Sequence, residues 1–134
     1  MILIVDDFAD GAEALCRLIE RQGYDCRWAG GGREALAMIR AQPAEQPLLV
    51  LLDEMMPEMN GIEVLRELRN DPRIAATPVI MYSLNLMKRE EAMALGTLNW
   101  MLKGQDMLMI VKEIIGQYEH LGGVPSGAKS TPAD

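Results

Sequence analysis

The chain has 134 residues, of which 49% are hydrophobic and 25% are charged. A chain of this size and composition is typical of one soluble globular domain, and its apolar runs are far shorter than the roughly 18 residues of a membrane span. The net charge of −7 arises from 20 acidic and 13 scattered basic residues, so neither a membrane nor a direct nucleic-acid partner is expected, because nucleic-acid binding needs clustered lysine and arginine.

Five apolar segments predict β-strands. Residues 2–5 and 48–52 are unbroken runs of branched residues or leucine, a pattern typical of strands buried on both faces of a parallel sheet. Shorter runs at 79–82 and 98–102 are similar. In residues 24–28 apolar and charged side chains alternate, which favours an edge strand with one solvated face.

Five segments with helical periodicity alternate with these strands. In the first, apolar residues recur between positions 12 and 19, and Gly23 occupies a C-cap position. Residues 33–40 and 61–69 predict the second and third helices, and a weaker, methionine-bearing helix is expected at 86–95. The last helix has the clearest apolar stripe, formed by Met107, Ile110, Val111, Ile114, Ile115 and Tyr118. Strict strand–helix alternation predicts an α/β fold with a doubly wound parallel sheet and helices on both faces.

The last residues and the cysteines carry less information. Residues 122–134 are rich in glycine, proline and serine without apolar periodicity, so we expect a domain at 1–121 and a flexible tail or linker at 122–134. Cys16 and Cys26 have no second pair or nearby histidine for a metal site, and we expect two free thiols. Residues 1–7 contain two acids and no basic start, so we expect a cytoplasmic protein without a secretory signal.

Polar side chains stand at the ends of four predicted strands. Asp6 and Asp7 follow the first strand, and Asp53 closes the third. Ser83 and Lys103 end the fourth and fifth. In open α/β sheets the carboxyl ends of the strands form the ligand-binding edge, so we expect three carboxylates, one hydroxyl and one ammonium to meet there.

This set of groups favours phosphoryl chemistry. Carboxylates held close together repel, which raises their pKa values or recruits a cation, and oxygen ligands favour Mg²⁺, which also binds phosphates. A carboxylate beside such an ion can attack phosphorus and form an acyl phosphate. Lys103 and Ser83 could then stabilise the transferring group. The alternative is a structural acid cluster with a salt-bridged lysine.

The chain closely resembles the receiver domains of bacterial response regulators, of the single-domain chemotaxis type, over about residues 1–120. The segment ILIVDD resembles the family's acidic pair after strand one, and LLVLLDEMMPEMNGIEVL resembles its phosphoacceptor segment, with Asp53 at the acceptor position and Gly61 eight residues later. TPVIMYS places Ser83 at the family's hydroxyl position. NWMLK places Lys103 at the lysine position and Trp100 at that of the aromatic switch residue.

The resemblance implies a flavodoxin-like, five-stranded parallel sheet in the order 2-1-3-4-5, with five helices on two faces. It implies a phosphoacceptor regulatory domain of a two-component system rather than an enzyme, although family members assist their own phosphorylation and dephosphorylation. Asp53 would accept a phosphoryl group from a sensor histidine kinase or a phosphotransfer protein.

The resemblance also implies Mg²⁺ as the cofactor. Asp7 and Asp53 would ligate it directly, the backbone carbonyl of Met55 would supply a third ligand, and Asp6 would act largely through water.

Signal output follows from the same resemblance. Ser83 and Lys103 would hold the phosphoryl group, and Ser83 and Trp100 would act as switch residues. Movement of the two switch residues would change the face formed by helix four, strand five and helix five, where an output protein or domain that the sequence does not identify would bind.

Three residues depart from the family pattern. Gly104 follows Lys103 where the family usually has proline, so a looser loop with unusual φ is expected. Leu84 replaces a small residue and is expected to crowd the phosphate. Trp100 is bulkier than the usual aromatic, and we expect its inward rotamer to fit poorly.

Three other functions are consistent with parts of the pattern. A degenerate receiver would be an interaction module independent of phosphorylation, but all the active positions are filled. A phosphatase with an aspartyl nucleophile would need a second acid two residues after the first, and Met55 stands there. A carrier of FMN would need a phosphate-binding loop after the first strand, and residues 6–10 do not resemble one.

Overall fold

Five strands alternate with five helices in a computed structural model that describes residues 1–43 and 48–126. The strands are β1 (Ile2–Val5), β2 (Cys26–Ala29), β3 (Leu49–Asp53), β4 (Val79–Ser83) and β5 (Asn99–Leu102). The helices are α1 (Ala9–Arg21), α2 (Gly32–Ala41), α3 (Gly61–Asn70), α4 (Arg89–Ala94) and α5 (Met107–His120). Each predicted strand and helix is therefore present, with ends that differ by a few residues.

The strands form one parallel sheet in the order β2-β1-β3-β4-β5. This confirms the doubly wound, flavodoxin-like sheet expected from the sequence. Val5 lies opposite Leu52 in the β1–β3 register, so the residues that follow them, Asp6 and Asp53, are neighbours at the carboxyl edge. Ser83 is in turn aligned with Leu102. The register thus brings the polar strand ends to one edge.

Two apolar layers enclose the sheet. Side chains alternate along a strand between its two faces, and β1 shows this directly. Leu3 and Val5 pack in the layer that includes residues of α2 and α3, whereas Ile2 and Ile4 pack in the layer that includes residues of α1 and α5. Because helices cover both faces, β1 and β3 are buried along their whole length.

The edge strand β2 follows the predicted pattern from a shifted start. It begins at Cys26 rather than at residue 24, and its two central residues, Arg27 and Trp28, are exposed. Cys16 on α1 and Cys26 are free thiols, as expected, and both are buried. Their sulfur atoms lie 2.9 Å apart, a contact that the sequence did not indicate.

The chain continues past the predicted domain end for a few described residues. Ser126 donates both its backbone N–H and its hydroxyl to the carbonyl of Gly23, at 2.6 and 3.0 Å. Residues 127–134, most of the predicted tail, lie outside the described residues, so the boundary after residue 121 stays a prediction.

No helix in the described ranges is both long enough and apolar enough to cross a membrane.

Candidate functional site

The three predicted acids meet at the carboxyl edge of the sheet. One carboxylate oxygen from each of Asp6, Asp7 and Asp53 lies within 4.8 Å of the others. Asp6 and Asp53 are buried and Asp7 is exposed. Asp6 is also held in place locally, since its side chain accepts a hydrogen bond from the backbone of Phe8 at 2.9 Å.

A glycine allows α3 to begin against the end of β3. A Cβ atom at Gly61 would lie 2.4 Å from the carbonyl oxygen of Asp53 and 2.9 Å from the Cα of Glu54. The Gly61 N–H donates to the Glu54 carbonyl at 2.8 Å. Asn60 and Glu63 form a reciprocal capping box at the start of the helix, which stabilises it by satisfying unpaired N–H groups. The eight-residue spacing between Asp53 and Gly61 in the sequence therefore has a steric reason.

Lys103 reaches the acids from the end of β5. Its Nζ lies 2.8 Å from Asp53 Oδ1 and 3.7 Å from Asp6 Oδ2. It also lies 5.2 Å from the centroid of the Tyr82 ring. The next residue, Gly104, has a φ of +93°, a left-handed conformation that glycine adopts without the steric cost of a Cβ atom. The unusual φ expected at this position is confirmed.

The ammonium of Lys103 compensates only part of the effects that raise the pKa of Asp53. Burial raises the pKa of Asp53 to about 6, the hydrogen bond from Lys103 works in the opposite direction, and the charge of Asp6 adds to the increase. Burial alone would lower the pKa of Lys103, but its hydrogen bond to Asp53 and the nearby carboxylates raise it overall. One ammonium therefore faces three acidic side chains.

The donor set suits a hard divalent cation. Carboxylate oxygens at this density are the ligands that Mg²⁺ prefers, and a second cation would relieve the repulsion that Lys103 leaves uncompensated. Met55, expected to add its backbone carbonyl, follows Asp53 by two residues. Among the described residues, Asp6, Asp7 and Asp53 are the one group of acids, histidines or cysteines placed to bind a metal.

Ser83 makes a contact that the sequence did not indicate. Ser83 is 1% exposed, and its hydroxyl donates a hydrogen bond to the carboxylate of Glu54. Glu54 is itself only 5% exposed. In the sequence, Glu54 directly follows Asp53, but its pairing with Ser83 depends on how the ends of β3 and β4 pack.

Trp100 is inside the protein, so the expectation that its inward rotamer fits poorly is wrong. The side chain is 6% exposed and packs in the same layer as Met81 and Ala92. Its indole N–H donates to the Asn85 carbonyl at 2.9 Å.

The other tryptophan, Trp28, donates its indole N–H to the Asp6 carbonyl at 2.9 Å, which places it next to the acidic cluster.

Leu84 does not have the surroundings expected of a residue that crowds a bound phosphate. Its side chain is 73% exposed. A side chain that is mostly in solvent makes few contacts, and this gives no support to the expected crowding of a phosphate.

The sequence is similar to those of known response regulators. The sequence model for the response regulator receiver domain matches residues 2–115. Over 80 residues, 60% of this chain, the sequence is 42% identical to a transcriptional regulatory protein CpxR homolog from Haemophilus influenzae and 44% identical to the DNA-binding response regulator MtrA from Mycobacterium tuberculosis. These matches cover 32% of each relative, so the chain spans about a third of their length.

A solved structure is also similar. A response regulator receiver protein from Pseudomonas putida has a TM-score of 0.77 and 29% sequence identity, over 87% of this chain and 94% of that one.

Proposed function

The chain belongs to the response regulator receiver domain family, and we propose that it is a phosphorylation-dependent signalling switch whose acceptor is Asp53. One observation carries the proposal. The buried carboxylate of Asp53 lies 2.8 Å from the ammonium of Lys103 and within 4.8 Å of two further carboxylates. A regulatory domain of this family acts as a switch rather than as an enzyme with a released product.

In the proposed reaction, a carboxylate oxygen of Asp53 attacks the phosphorus of a phosphohistidine on the donor protein. A P–O bond forms as the P–N bond breaks, and the leaving imidazole takes up a proton. Because the pKa of Asp53 is about 6, its carboxylate is ionised and nucleophilic at neutral pH. The ammonium of Lys103 neutralises part of the charge on the transferring group, and the hydroxyl of Ser83 donates to one of its oxygens.

A divalent cation completes the proposed site. Asp7, Asp53 and the carbonyl of Met55 would hold Mg²⁺, with Asp6 acting largely through water. The ion would supply positive charge that offsets the acids and the phosphoryl oxygens. Binding of the ion would relieve the repulsion among the three carboxylates.

We further propose that Ser83 and Trp100 are the switch residues, and that they act on the face formed by α4, β5 and α5. The phosphoryl donor would be a sensor histidine kinase or a phosphotransfer protein in the cytoplasm, and an output protein or domain would read the switched face. Two curated relatives are named as a transcriptional and a DNA-binding regulator. We therefore propose that the receiver domain, at residues 1–121, controls an output of that kind through protein contacts.

Acetyl phosphate with Mg²⁺ tests the acceptor. We expect the intact protein to gain the mass of one phosphoryl group, and Asp53→Asn to gain none, because the amide has no nucleophilic carboxylate oxygen. Asp25→Asn, at an exposed acid outside the site, serves as the matched control and should be phosphorylated like the wild type. An adduct that persists in Asp53→Asn would place the acceptor elsewhere. Absence of any adduct on the wild type would favour the degenerate receiver.

A further inference from the structure

The hydroxyl of Ser83 already donates a hydrogen bond to Glu54. A serine hydroxyl has one hydrogen to donate, and here it donates to Glu54, next to the acceptor in sequence. In the proposed function the same hydrogen is needed by a phosphoryl oxygen on Asp53. The two acceptors cannot both receive it.

Glu54 has little freedom to give way. Its backbone N–H donates to the Tyr82 carbonyl at 3.1 Å, and its own carbonyl accepts from Gly61 at 2.8 Å, so its Cα is fixed between β4 and α3. The side chain is buried, and a buried carboxylate that loses its donor pays the cost of desolvation without compensation. Withdrawal of the Ser83 hydroxyl is therefore opposed by Glu54.

We propose that Glu54 is a positioning residue that competes with the phosphoryl group for the Ser83 hydroxyl and so favours the unphosphorylated arrangement. This inference rests on the proposed function of Asp53. Glu54 does not touch the reacting atoms in this mechanism. Its positioning effect is exerted through Ser83, and its removal should make the phosphorylated arrangement easier to reach.

Further hydrogen bonds connect Ser83 with Trp100, the proposed aromatic switch residue. The Asn85 N–H approaches the Ser83 hydroxyl oxygen at 3.4 Å, and the Asn85 carbonyl accepts from the Trp100 indole at 2.9 Å. Because Trp100 is already buried, an outward-to-inward rotation is not available to it. A shift of Ser83 away from Glu54 would instead reach Trp100 through the backbone of Asn85.

Beryllofluoride, which mimics the phosphoryl group, tests the competition at saturating Mg²⁺. Isothermal titration calorimetry would compare its affinity for the wild type and for Glu54→Met, whose side chain has similar length and accepts no comparable hydrogen bond. Removing the Glu54 charge also lessens repulsion of the anion, so the same substitution is made in a Ser83→Ala chain. That chain retains the charge effect and has no hydroxyl to compete for.

We expect Glu54→Met to tighten binding about tenfold more in the chain with Ser83 than in the Ser83→Ala chain. Factors that agree within about twofold in the two backgrounds overturn the inference. Glu54→Gln keeps a neutral acceptor, which holds a hydroxyl less strongly than a carboxylate does. It should show a smaller difference of about threefold, and this variant decides the question if Glu54→Met does not fold.

The experiment separates the inference from the function it rests on. A wild type that binds beryllofluoride with no coupling between Glu54 and Ser83 overturns the competition alone. A wild type that binds none overturns the phosphoacceptor function as well.

Discussion

Replacement of Asp53 by asparagine should stabilise the protein at neutral pH in the absence of Mg²⁺. The ordinary pKa of 3.8 rises to about 6 in the folded protein, chiefly because of burial. The folded state therefore binds the proton more tightly than the unfolded chain does. Ionisation of Asp53 therefore lowers the free energy of unfolding, fully above about pH 6. This loss disappears as the pH falls below about 4.

The size of this cost follows from the same two values. At 1.36 kcal/mol per pKa unit, the interval between 3.8 and about 6 corresponds to about 3 kcal/mol of unfolding free energy. Asparagine removes the charge and keeps an oxygen that can accept from Lys103. We expect Asp53→Asn to gain about 1–3 kcal/mol at pH 8, about half of that at pH 5, and nothing below about pH 4.

Urea unfolding followed by circular dichroism, in EDTA and at several pH values, measures this gain. Asp25→Asn, at an exposed position, is the matched control and should follow the wild type. Addition of Mg²⁺ should reduce the advantage of Asp53→Asn, because the cation stabilises the ionised carboxylate only in the wild type. A variant less stable than the wild type at pH 8, or a gain that grows as the pH falls, would refute the reasoning.

Three further predictions concern the metal, Trp100 and the partly buried Arg69. Mg²⁺ at ten times its Kd should add about 1.4 kcal/mol to the wild type, seen as a rise in Tm, and Asp7→Ala should lose most of that response. In a Trp28→Phe chain, acrylamide should quench the fluorescence of Trp100 weakly even without phosphorylation, since its side chain is 6% exposed; strong quenching would contradict its burial. Arg69 donates to backbone carbonyls before β4 and after α4, so Arg69→Met should cost about 2–4 kcal/mol in urea unfolding. Arg66→Met, which removes a surface ion pair with a side chain 55% exposed, should cost less than about 1 kcal/mol.

Much of the fold could be predicted because burial on both faces leaves a clear pattern. A strand covered by helices on each side must be apolar at every position, and the runs at β1 and β3 are the parts of the sequence where that is most evident. The helix α4 was less well predicted, with six residues in place of ten. Its N-cap residue, Lys88, makes no side-chain capping hydrogen bond, so the sequence has no capping residue at the position where the helix begins.

The site could be predicted as a set of residues and not as a set of contacts. Acids, hydroxyl and lysine at strand ends converge because parallel strands share one carboxyl edge, whatever their side-chain rotamers. The pairing of Ser83 with Glu54 depends on rotamers and on the close approach of α3 at Gly61. The contact between Cys16 and Cys26 likewise depends on how α1 packs against β2, which sequence spacing alone does not show.

In the proposed function, two features of the unphosphorylated protein should have separate consequences. The excess of carboxylates around Asp53 is relieved by a cation, so it should determine the affinity for Mg²⁺. The hydrogen bond between Ser83 and Glu54 opposes the approach of the hydroxyl to a phosphoryl group, so it should determine how readily the switched arrangement forms. Because Lys103 contacts Asp53 and Asp6 while Glu54 accepts from Ser83, substitutions in the acid cluster should mainly change metal binding, and substitutions at Glu54 should mainly change switching.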